Sequence, residues 1–78
     1  MKITYDAEAD AAYIQMVDKI GPGESAAQVH SIATPGDKGE ITIDFDSQGR
    51  VLGFEILWAS AVLREEVLAQ AVPPTPPA

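Results

Sequence analysis

An α+β domain, with a four- or five-stranded, mainly antiparallel sheet and a C-terminal helix packed on it, is what this 78-residue sequence predicts. Three observations point there. Two alternating segments, ITIDF and VLGFEILW, flank the polar turn Asp46-Ser47-Gln48-Gly49. Two more bracket the acidic stretch Asp6 to Asp10. Finally, AVLREEVLAQAV follows Ser60 with no breaker before Pro73.

Taken in order, Ile3 and Tyr5 alternate with Lys2 and Thr4 as a short strand. Asp6 then starts a turn, because its carboxylate can accept the amides that follow. From Ala12 to Val17, Ile14 and Met16 share one face of a second strand, close enough to pair with the first. Gly21-Pro22-Gly23 ends it. Ser25 to Ala33 reads as a strand with Val29 on one face and His30 and Ile32 on the other. Thr34 to Gly39 is a loop. Ile41, Ile43 and Phe45 share a face of the next strand, and Leu52, Phe54, Ile56 and Trp58 a face of the last. That last strand is apolar on much of both faces, so each side of the sheet needs cover. Ser60 is the expected helix N-cap, and Leu63, Val67 and Ala71 form the stripe that would pack on the sheet. The domain is expected over residues 1–72, with the proline-rich residues 73–78 as a disordered tail.

Composition narrows the partners. Twelve acidic against five basic residues give a net charge of −7, and the basic residues are scattered singly. A phosphate backbone needs clustered Lys and Arg, so no nucleic acid is expected, whereas a small basic protein is compatible. There is no cysteine to form a disulfide or a thiolate metal site. No apolar run is long enough to cross a membrane, and a cytoplasmic location is expected. With so small a core, oligomerisation is the expected source of extra stability, most simply as a homodimer.

DFDSQGRVLGFE, from Asp44 to Glu55, nearly fits a calcium-loop pattern. Such a loop is framed by helices, and here both flanks read as strands, so the hairpin reading prevails. No cofactor or catalytic residue is indicated. His30 has no catalytic partner in the sequence, and no glycine-rich loop opens a helix to hold a phosphate. The candidate carboxylates are Asp6, Asp10 and Glu55. Glu55 is expected beside Val51 and Leu57 on the face under the helix, where it would need a donor. Trp58, with Leu57, is the candidate interface, since an aromatic residue with sparse local cover is typical of binding hot spots.

Two further stretches carry a resemblance. Tyr5-Asp6-Ala7-Glu8-Ala9-Asp10 followed by Tyr13-Ile14, and Gly53-Phe54-Glu55-Ile56-Leu57-Trp58-Ala59-Ser60, together resemble the prokaryotic family called domain of unknown function 2283, over roughly residues 2 to 60. The sequence departs from that pattern at Ala7, at Trp58 and in a longer linker from Gly21 to Gly39. The resemblance implies a small stand-alone cytoplasmic protein with no assigned activity, and a role like that of an antitoxin beside a small ribonuclease-like toxin. The expectation is therefore a non-catalytic interaction module that self-associates or binds a small protein partner. The alternative is a ligand- or metal-binding protein, or a weak hydrolase, built on clustered carboxylates.

Overall fold

Side chains that alternate along a strand must divide between two faces, and in this chain they divide into an apolar and a polar face. The computed structural model describes residues 1–74. Five strands form the sheet: β1 (Lys2–Asp6), β2 (Ala11–Gln15), β3 (Ala27–Ala33), β4 (Glu40–Phe45) and β5 (Val51–Leu57). Their spatial order is β1-β2-β5-β4-β3, and every neighbouring pair is antiparallel. Because β5 inserts between β2 and β4, the linker from β2 to β3 has to cross one end of the sheet.

The apolar face carries two straight cross-strand rows. Tyr5, Ala12, Ile56, Ile41 and Ile32 are in register across the five strands, and so are Ile3, Ile14, Phe54, Ile43 and Val29. In β3 this requires a correction to the simple alternation. Val29 pairs with Ile43 and Ile32 with Ile41, so His30 and Ser31 together face the single residue Thr42. The bulge, with Ser31 at φ 60°, turns Ile32 onto the same face as Val29.

The predicted single helix is also corrected. After β5 come two one-turn helices, α1 (Ala59–Val62) and α2 (Glu65–Leu68), separated by extended backbone at Leu63 and Arg64. Val62, Leu63 and Leu68 all pack against the core cluster of Ala12, Ile56 and Ala59. In an unbroken helix Leu63 and Leu68 would point about 140° apart, so both could not meet the sheet. The break lets them, and Leu68 takes the place expected for Val67.

Val62, Leu63 and Leu68 meet the cluster that contains Ala12 and Ile56 of the first row. The second row is half-buried, and Val29 at its end is 51% exposed. Ala12, Leu52, Ile56 and Ala59 are the buried apolar residues, and among the described residues no large side chain is fully enclosed. The molecule is a slab, 32 × 31 × 19 Å across its Cα atoms.

One edge of the slab is closed by the chain itself. The Val72 amide donates to the Ile3 carbonyl (2.9 Å), and the Tyr5 amide donates to the Val72 carbonyl (2.9 Å), which makes a single parallel rung along β1. Of the tail expected at 73–78, residues 75–78 lie outside the described residues.

Candidate functional site

Asp10 closes the β1–β2 turn in a left-handed conformation, φ 50°, one that Asp tolerates better than most residues. There its carboxylate collects three donors. The Tyr5 hydroxyl donates to Oδ1 (2.7 Å), the Ser60 amide to Oδ1 (2.9 Å) and the Ser60 hydroxyl to Oδ2 (2.7 Å). The Asp10 carbonyl also accepts the Ala59 amide at 2.9 Å. The start of α1 is therefore capped by a residue fifty positions away. Ser60, expected as the cap, is instead a donor to it. The Ser60 hydroxyl, then the Tyr5 hydroxyl and the Ser60 amide, hold the Asp10 carboxyl below its ordinary range, and the bond to Asp10 raises the Tyr5 phenol.

Asp6 serves its own turn, as its sequence position suggests: its Oδ1 accepts the amides of Glu8 (3.0 Å) and Ala9 (3.4 Å). Glu55 is exposed, contrary to the expectation that the helix would cover it. The helices pack on the Ile56 face, and Glu55 lies on the opposite one, between Tyr13 and Thr42 in register. Among the described residues, no group of three or more His, Cys, Asp or Glu side chains is placed to share a metal ion. The residues of the calcium-like stretch go separate ways as well. Asp46 Oδ1 accepts the amides of Gln48 and Arg50, both at 2.9 Å, and Gly49 closes that turn at φ 76°.

Sequence reasoning overlooked the polar cluster centred on Asp44, which is only 9% exposed. The Tyr13 hydroxyl donates to Asp44 Oδ2 (2.7 Å), while Gln28 Nε2 (2.6 Å) and Ser25 Oγ (3.3 Å) donate to Oδ1. Tyr13 reaches Asp44 by lying across Gly53, whose absent Cβ would come within 2.6 Å of the phenol oxygen. Burial first, then the bond to Asp44 and the charges of Asp44 and Glu55, push the Tyr13 phenol well up. The cluster joins β2, β5, β4 and β3 across the polar face, with every buried polar side-chain atom among the described residues satisfied. The available clue was Gly53, since a glycine inside a strand often marks a close approach.

Trp58 stands 58% exposed in the left-handed region, φ 56°, beside a shallow depression lined by Asp37, Lys38, Gly39 and Glu40. Leu57, in register with Ala11 and Glu40, is half-buried. Both sit at the end of β5 remote from Phe54 and its open row. His30 is exposed at the β3 bulge, where its ring approaches the Ser31 hydroxyl (3.4 Å).

A family model described as Protein of unknown function (DUF2283) matches residues 2–60 of the 78. The two stretches that carry the resemblance meet in the structure, where Tyr5 and Asp10 from one bond Ser60 from the other. No curated protein and no solved structure matches the chain. Among the described residues, no helix is long and apolar enough to cross a membrane.

Proposed function

We propose that this chain, which belongs to the DUF2283 family, is a non-catalytic interaction module that self-associates through the open row of its apolar sheet face. The observation that carries this reading is the incomplete core. Ile3, Ile14, Phe54 and Ile43, each half-buried, and Val29, 51% exposed, form an uncharged band about 19 Å wide across five strands, from the usual strand spacing, and among the described residues the helix side chains are grouped with the other row. A second copy of the band would supply the missing layer, since facing sheets pack about 10 Å apart. Two chains each carrying −7 repel, and a band without charge is where they can approach at least electrostatic cost.

The acids of the β1–β2 turn support the non-catalytic reading, because Asp6 and Asp10 are occupied in holding the fold. Trp58 is a separate feature. An exposed indole held in a left-handed conformation, on a molecule of strong negative charge, suits a contact with a small basic partner protein.

Sedimentation equilibrium tests the self-association. Phe54→Glu puts a charge in the centre of the band and should halve the assembly mass, with the far-ultraviolet circular dichroism retained. A folded variant of undiminished mass refutes the reading, as does a wild-type chain that sediments at 8.3 kDa.

A further inference from the structure

We propose that the outer edge of β3 pairs with β3 of a second copy, antiparallel about a two-fold axis, so that the two five-stranded sheets become one of ten strands. This rests on the self-association reading and adds a second, distinct contact to it.

A sheet with β3 and β1 on its margins has two edges to offer, and the two differ sharply. Along β1, Val72 already occupies the groups it can reach. In that parallel register the next donor towards the Tyr5 carbonyl would come from residue 74, which is a proline with no N–H. Along β3, among the described residues, no backbone hydrogen bond is made on the outer side. An open edge is normally guarded by lysine, proline, an inward charge or a β-bulge, and of these β3 carries the bulge alone. Residues 25–36, SAAQVHSIATPG, include twelve consecutive positions without Asp, Glu, Lys or Arg, and none of the seven within β3 is a proline. The one irregularity is the bulge at His30 and Ser31, which limits flat pairing to about Ala27–His30.

The charge pattern selects the occupant. A chain of net charge −7 meets its own copy most readily along a margin with no charge, where antiparallel self-pairing opposes neutral residues only. The pairing is also continuous with the apolar band, because Val29 is both the exposed end of that row and a member of the edge strand. Two edge-paired copies set their rows end to end. Where the two-fold of the face contact runs along the rows and crosses the two-fold of the edge contact at a right angle, the two contacts close as a dimer of dimers of about 33 kDa, four times the 8.3 kDa chain.

The test is sedimentation equilibrium of His30→Asp and His30→Lys, each separately. His30 is exposed on the edge, outside the apolar row and outside the Asp44 cluster. By the two-fold, His30 lies opposite Ala27 of the second copy, so each variant alone sets an edge-guarding charge within the paired segment and should halve the mass from four chains to two. In the Phe54→Glu background, His30→Asp should leave single chains. Circular dichroism confirms that each variant is folded, and His30→Lys guards against an effect peculiar to Asp. A wild-type mass of two chains that Phe54→Glu lowers to one, with both His30 variants unchanged, leaves the face contact standing and overturns the edge pairing. A mass that responds to His30→Asp and His30→Lys but not to Phe54→Glu sustains the edge pairing and overturns the face contact. A wild-type mass of one chain overturns both, and leaves the edge to a strand from another protein.

Discussion

Gly53→Ala tests how far the polar face depends on one missing methyl group. The added Cβ would lie 2.6 Å from both Cε1 and the hydroxyl oxygen of Tyr13, and 2.7 Å from the Ile14 carbonyl. Tyr13 can lift away, but its hydroxyl then leaves Asp44, and a hydrogen bond to a charged group is worth about 1.5–3 kcal/mol. The Ile14 carbonyl belongs to the neighbouring strand and moves only by straining the β2–β5 ladder. Overpacking of this kind costs about 1–3 kcal/mol. Against these stands a gain of about 0.4–1 kcal/mol from a less flexible unfolded chain. The balance is a loss of about 3 kcal/mol, or a fall of about 12–24 °C in melting temperature for a domain of this size. Thermal and urea unfolding at one fixed protein concentration measure it. Tyr13→Phe should lose only the part due to the hydrogen bond, about 1.5–3 kcal/mol. Because both variants break that bond, their costs should combine to less than their sum. A Gly53→Ala protein within about 0.5 kcal/mol of wild type would refute the close-approach argument.

Two other perturbations probe the joints of the fold. The Asp10 carboxyl is held below its ordinary range, so the stability it contributes is present above the pKa of the unfolded chain and is lost as pH falls through the folded one. Asp10→Asn keeps the left-handed backbone, and its melting temperature should fall less than that of wild type between about pH 5 and pH 2. Asp46, lowered chiefly by the Arg50 amide, retains part of that slope, and parallel acid profiles for the two proteins would count against the clasp. Gly39 is buried where α1 passes the end of β5, and a Cβ there would collide with the Leu57 carbonyl and stand 2.5 Å from Val62 Cγ2. Gly39→Ala should cost about 2–4 kcal/mol in urea unfolding, more than overpacking against a movable side chain alone, and an unchanged midpoint would contradict that packing.

The parts of the fold that were legible in the sequence are those set by neighbours in the chain. Strand alternation puts Ile41 and Ile43 on one face of their strand and Phe54 and Ile56 on one face of theirs, and Asp46 with Gly49 announces the turn between, because both effects act over two to four residues. The sequence-level misreadings are all non-local. Helical spacing could not reveal that Leu63 and Leu68 both reach the cluster of Ala12, Ile56 and Ala59, which an unbroken helix would prevent. Alternation could not register the extra residue at Ser31, which turned Ile32 over. The pattern of β5 is apolar on both sides and leaves the side of Glu55 open to either choice, and only tertiary packing leaves it exposed. Asp10 read as a local turn residue, yet its carboxylate serves α1 through contacts that only the folded chain creates.

The rung made by Val72 decides what kind of growth is open to the sheet. If both margins were free, β1 of one molecule could add to β3 of the next, head to tail, and such a contact repeats without end. Unlimited edge addition of this sort is the geometry of fibres. With β1 stopped by one rung and by Pro74, β3 is the margin that the described residues leave open, and a pairing of like with like there would use itself up in a single step. In that assembly a short extended segment would separate a finite particle from a polymer.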